Sequence, residues 1–172
     1  GAVLGSRHEK NDTLKLSLLV RDELTQRGYT VVMTRDDDSD VSLSDRCKIA
    51  NKARASLFVS IHRNSSSSPV ATGMEMWVHS QNPTDDVLLA QNILDSLETV
   101  GISNNRGIHT GYRDGATMNY YINRYTKMPS VLAEIGFISN TNDNKSYDEK
   151  IKEYAKAIAD GIELTLKEMN GE

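Results

Sequence analysis

Apolar positions along the chain switch between helical spacing and short unbroken runs, which predicts alternating helices and strands. Leu14, Leu18 and Leu24 fall at helical intervals; Asn11 or Asp12 can cap the start of that helix, and Gly28 suits its end. Residues 29–34 (YTVVMT) read as a strand. Ser42 or Ser44 then opens a helix with Ile49, Ala50 and Ala53 on its inner side. Residues 56–62 (SLFVSIH) form a short apolar run of the kind buried on both faces of a parallel sheet.

A serine-rich loop is expected over residues 63–72, followed by an alternating strand over 73–79. In that strand Met74, Met76 and Val78 share one side, and Glu75, Trp77 and His79 the other. Thr84 or Asp85 starts a helix whose Leu88, Leu89, Ile93 and Leu97 make one stripe, closed by Gly101. Residues 102–129 read as a long irregular stretch, 130–135 (SVLAEI) as a buried strand, and 148–169 as a last amphipathic helix. The alternation predicts an α/β fold: three layers, with a mostly parallel twisted sheet and helices on both faces. No repeat or break in composition divides residues 1–172, which read as a single domain.

Composition narrows the functional classes. Apolar residues make up 38% and charged residues 26%, an ordinary globular mixture. The formal charge is −4 with the acids dispersed, so no basic stripe points to nucleic acid. No apolar run is long enough for membrane insertion. No basic segment followed by an apolar one opens the chain, so any secretion signal is expected ahead of Gly1. Cys47 is the single cysteine, and its helical neighbours suggest a small core residue rather than a reactive thiol.

Two residues break the local pattern. His62 ends one apolar strand, and Glu134 lies within another between Ala133 and Ile135. A carboxylate buried there is costly unless a cation, metal or donor meets it. Ligands of open α/β sheets collect beyond the carboxyl ends of the strands, which is where both residues fall. A His–Glu pair serving only the core is the competing reading, and the pattern alone leaves the two even.

The surrounding motifs favour a site. Residues 60–64 (SIHRN) and 134–140 (EIGFISN) resemble the amidase-3 family of N-acetylmuramoyl-L-alanine amidases. Further stretches match in family order: GAV at 1–3, Glu9–Lys10, TRDDD at 34–38, LSDRCKIAN at 43–51, Gly73 with Glu75, and NRG at 105–107. The resemblance implies one zinc per chain, with Glu9 and His62 as metal ligands and Glu134 as the catalytic carboxylate. Zinc sites of this kind use three His or Glu ligands and keep a fourth position open. The family's other histidine belongs to a GHGG-type motif ending a first strand; this chain lacks the motif, and that strand is expected ahead of Gly1.

The implied reaction is hydrolysis of the amide between N-acetylmuramic acid and L-alanine of the peptidoglycan stem, as in an autolysin. The implied location is extracellular, in the cell wall or periplasm of a bacterium. A monomer is expected, with any cell-wall-binding domains outside these residues. As substrate-binding candidates, Asn64 could orient the site or touch substrate or serve only turn chemistry, Glu75 could wall a groove or form a salt bridge, and Arg106 could hold a peptide carboxylate or serve a structural ion pair. His8, His79 and His109 are read as surface or groove residues. The alternative function is a peptidoglycan-binding module with a defective metal site. A zinc carboxypeptidase ranks below both, because its surrounding motifs are absent.

Overall fold

A computed structural model of the protein describes residues 1–112 and 118–172. The chain opens on a small antiparallel hairpin, β1 (Val3–Leu4) and β2 (Arg7–His8), and enters α1 (Glu9–Gln26) directly from it. There follow α2 (Leu43–Ala53), β3 (Phe58–Asn64), β4 (Met74–Val78), α3 (Thr84–Val100), β5 (Asn105–Thr110), α4 (Tyr121–Tyr125), β6 (Ser130–Phe137) and α5 (Thr141–Asn170). The main sheet runs β3-β6-β4-β5; β3–β6 and β4–β5 are parallel and β6–β4 is antiparallel. The expected mostly parallel sheet with helices on both faces is present.

Strand alternation sorts the side chains into two layers. On one face Met76, Ala133 and Ile135 meet Leu16 and Val20 of α1, Ile93 and Leu97 of α3, and Ile158 of α5. Gly161 lets α5 press close to α3: a Cβ there would stand 2.6 Å from the Ile93 Cα. On the other face Phe58, Leu132 and Trp77 meet Cys47 and Ala50 of α2 and Ile122 of α4. Cys47 is buried, and burial raises its thiol above the usual range. Among the described residues, no helix is long and apolar enough to cross a membrane.

Several elements differ from the expectations for physical reasons. The buried stripe of α1 is Thr13, Leu16, Val20 and Leu24, while Leu14 and Leu18 are only partly buried. Residues 29–34 belong to no strand, since among the described residues no backbone forms a ladder with them. Arg63 and Asn64, expected in an exposed loop, are buried at the end of β3. β4 is buried at every position, so its polar alternate residues face a second layer rather than solvent. β5 and α4 occupy part of the stretch read as irregular; β5 (NRGIHT) is a polar edge strand with no hydrophobic period to reveal it. Residues 113–117 of that stretch lie outside the described residues.

The last helix also starts earlier, at Thr141. Asn140 caps it, its Oδ1 accepting from the Asn142 and Asp143 N–H groups at 2.9 and 3.1 Å. Lys150 has non-helical backbone angles, and this kink separates the capped opening from the long amphipathic body. By contrast α2 begins as its sequence implies, with Ser42 Oγ accepting from the Asp45 N–H at 3.1 Å.

Candidate active site

Glu9 stands in the first turn of α1, where the free N–H groups of a helix start favour an anion. Its Oε1 lies 2.9 Å from His62 Nδ1 and accepts from the Arg63 N–H at 3.3 Å. Its Oε2 accepts from the Ala2 N–H at 2.7 Å, while the Glu9 N–H donates to the Ala2 carbonyl at 2.9 Å. Burial pushes the carboxyl pKa upward, but the imidazole and these N–H groups outweigh it and bring it down to about 2. Glu9 is therefore ionised across the physiological range. His62 reaches the same point from the end of β3, and its Nε2 lies 3.1 Å from Ser60 Oγ. Its side chain is 34% exposed against 10% for Glu9, so the imidazole is the accessible half of the pair.

The sheet register adds two carboxylates. His62 is paired with Glu134 across β3–β6, and Glu134 with Glu75 across β6–β4. Residues paired in this way point to the same face, so His62, Glu134 and Glu75 form one row on the face that also carries Trp77. Like charges set opposite each other are unfavourable in a sheet unless one is neutralised. Glu75 is the neutralised one. Its Oε2 accepts from Arg106 Nε at 2.6 Å, and its Oε1 accepts from Asn64 Nδ2 at 2.8 Å and Trp77 Nε1 at 3.0 Å. Burial raises the Glu75 pKa, yet Arg106 and Trp77 more than offset it and leave the carboxyl below its ordinary range. With both oxygens committed to donors, Glu75 is a fixed anion and a poor proton carrier.

Sequence reasoning thus named six residues that fall into two connected groups: Glu9 with His62, and Asn64 with Glu75 and Arg106, joined through Glu134 by the register. It missed the Trp77 link to Glu75 and the Ser60 contact with His62. Both were detectable, because Trp77 and Ser60 each lie two positions along the strand from their partner and so share its face. His109, read as a surface or groove residue, stacks on Trp77 with ring centroids 4.8 Å apart, and Tyr120 meets Trp77 edge-on at 5.5 Å. Its Nε2 lies 3.9 Å from Glu75 Oε2.

Glu9 and His62 offer a carboxylate oxygen and an imidazole nitrogen at one point, the donor types that zinc takes. Among the described residues, no group of three His, Cys, Asp or Glu side chains is placed to hold a metal. The pair therefore matches, in donor type, two of the three protein ligands of such a site.

The family model for N-acetylmuramoyl-L-alanine amidases matches residues 1–164. The chain belongs to this amidase family. It is 34% identical over 169 residues to YqiI of Bacillus subtilis, covering 95% of this chain and 77% of that protein. It is 32% identical over 159 residues to LytH of Staphylococcus aureus, a candidate cell wall amidase by its name, covering 91% of this chain and 49% of LytH. The chain thus spans about half the length of that relative. Among solved structures, the catalytic domain of CwlV, an N-acetylmuramoyl-L-alanine amidase from Bacillus (Paenibacillus) polymyxa var. colistinus, superposes with a TM-score of 0.86. Identity to it is 32%, covering 97% of this chain and 90% of that one. The amidase fold is shared over nearly the full described length.

Proposed function

We propose that this chain hydrolyses the amide between N-acetylmuramic acid and L-alanine of the peptidoglycan stem, outside the bacterial cytoplasmic membrane. The observation that supports it best is the meeting of Glu9 and His62 at 2.9 Å beside Glu134 in register, in a chain of this family. Glu9 and His62 would hold zinc together with a third donor that the described residues do not supply. Zinc bound there supplies Lewis-acid chemistry, polarising a carbonyl and acidifying water. Glu134 takes the proton of the attacking water and passes it to the departing amine of L-alanine. Glu75, its charge compensated by Arg106 and its oxygens held by Asn64 and Trp77 as well, stiffens that side of the site. Only five residues, 79–83, join β4 to α3, too short a link for a helix that could cover the site.

Metal analysis of the full-length protein is expected to give about one zinc per chain. His62→Ala and Glu9→Ala should each lose most of it while keeping the far-ultraviolet circular dichroism of the parent. Zinc retained in full by a folded His62→Ala variant would contradict the assignment. The two-donor set also gives weight to a second reading, a peptidoglycan-binding module without hydrolysis. That reading requires the full-length protein to pellet with peptidoglycan, carry no zinc and release no stem peptide.

A further inference from the structure

A cavity of about 550 Å³ opens at the other end of the sheet from the carboxylate row. β4 and β6 run antiparallel, so the start of β6 lies beside the end of β4, and Ser130 and His79 both line this space. Ser130 stands four positions before Glu134, roughly 13 Å along the strand at ~3.3 Å per residue. The cavity is thus separate from the site built on Glu9, His62 and Glu134. Its volume falls within the ~300–1,000 Å³ of small-molecule sites.

The lining selects a class of ligand. Asp85 and Asp86 line the cavity together with Arg124 and Lys127, so opposite charges are matched and neither an anion nor a cation is preferred. The buried part is fixed: Asp86 Oδ1 accepts from the Ser130 N–H at 3.2 Å. Asn123 Nδ2 donates to the Trp77 carbonyl at 2.8 Å, and its Oδ1 accepts from the Ser130 hydroxyl at 3.2 Å. Asp85, Arg124 and Lys127 are exposed and form no ion pair among the described residues. A ligand rich in hydroxyl and amide groups can use such donors and acceptors together, whereas a ligand of one charge meets a like charge.

Beside the cavity lies an aromatic ledge. Tyr121 and Tyr125 are one turn apart on α4, with ring centroids 4.4 Å apart, and are 37% and 46% exposed. Arg124 joins ledge and cavity, because it lines the cavity and lies over the Tyr125 ring at 5.2 Å from its centroid. Asn51 braces the backbone beneath: its Nδ2 donates to the Tyr125 carbonyl and its Oδ1 accepts from the Lys127 N–H, each at 2.9 Å. Ile122 already supplies the core contact of α4. Exposed rings beside polar groups of both signs suit a pyranose, whose C–H side packs on the ring while its hydroxyls meet the polar groups. A fatty chain would leave those polar groups unmet.

We propose that this cavity and ledge form a second saccharide site, which holds uncharged N-acetylated pyranose units of a glycan strand. The proposal rests on the reading above for the source of that strand: its sugars flank the one whose amide meets Glu134. The site anchors polymeric substrate and takes no part in bond breaking.

The probe is a tetramer of β-linked N-acetylglucosamine, titrated into the full-length protein and followed through amide chemical shifts. Saturable shifts are expected at Thr84, Asp85, Arg124 and Tyr125, with affinity constant within about twofold between low and high salt. The double variant Arg124→Ala/Tyr125→Ala should weaken binding about tenfold and lower kcat/KM on polymeric peptidoglycan by a similar factor. Its turnover of a muropeptide with a single disaccharide should match the parent, and Tyr125→Phe, which keeps the ring, should match the parent throughout. Absence of saturable shifts at these residues overturns the proposal, as does affinity that collapses in salt, the mark of an anionic ligand. Equal loss on the single-disaccharide muropeptide, in a variant with the parent's circular dichroism, also overturns it. Should the double variant not fold, the titration of the parent decides alone. Oligomer binding without hydrolysis of any muropeptide keeps this site and removes the proposed reaction; hydrolysis without oligomer binding does the reverse.

Discussion

Glu134→Gln should lower amidase turnover by about two or more orders of magnitude, the usual scale for losing a general acid–base group. Glutamine keeps the shape of the side chain and its place between His62 and Glu75 in the sheet row, but it cannot accept the proton of the attacking water. Zinc content should stay near that of the parent, because Glu9 and His62, rather than Glu134, are assigned to the metal. Glu75→Gln is the informative companion. It alters a carboxylate already held by Arg106, Asn64 and Trp77, so it should cost stability more than turnover. Near-normal turnover in Glu134→Gln would remove its role, and loss of zinc in step with activity would reassign it as a ligand.

Arg63→Ala should be the most destabilising single change near the site. Its side chain is fully buried, and the guanidinium donates to Asp12 Oδ2 and Asn144 Oδ1, each at 2.7 Å. The group also lies over the Tyr147 ring at 4.1 Å from its centroid. One arginine thus ties the end of β3 to α1 and to the opening of α5. Truncating one partner of a buried ion pair typically costs about 3–5 kcal/mol. For a domain of this size that corresponds to a fall in Tm of roughly 10 °C. Lysine should recover little, since it cannot present donors in two directions while stacking on the ring. A loss below about 1 kcal/mol in thermal or denaturant unfolding would contradict this account of Arg63.

The same residue illustrates what the sequence could and could not reveal. SIHRN marks His62 by its motif, but nothing local distinguishes a buried arginine from the first residue of a serine-rich loop. The partners of Arg63, Asp12 and Asn144, lie far away in the chain, and burial of a charge is decided by such distant partners. Strands whose neighbours cover both faces, β3 and β6, announced themselves as apolar runs. β5 did not, because an edge strand that pairs only with β4 needs no hydrophobic period. Residues 29–34 show the converse. Their pattern is that of a strand, yet a strand exists only when another backbone completes its hydrogen bonds.

For the site, the individual residues were legible and their connections were not. Glu9 and His62 could be named from motifs, while their 2.9 Å contact joins residues 53 positions apart and depends on how α1 packs against β3. Arg106 was left between a substrate role and a structural ion pair. In the structure its Nε donates to Glu75, so the ion pair is present, while the side chain remains 37% exposed.

The central claim is that this chain breaks one particular bond, and the products of digestion test it most directly. A purified muropeptide carrying N-acetylmuramic acid and its stem peptide is incubated with the zinc-loaded full-length protein, and the products are separated and weighed by mass spectrometry. The account predicts a free peptide with a new amino terminus at L-alanine, together with a glycan whose lactyl group ends in a carboxylate. Cleavage at a sugar–sugar bond or within the stem peptide would contradict it, as would an intact muropeptide in the presence of folded, zinc-loaded protein.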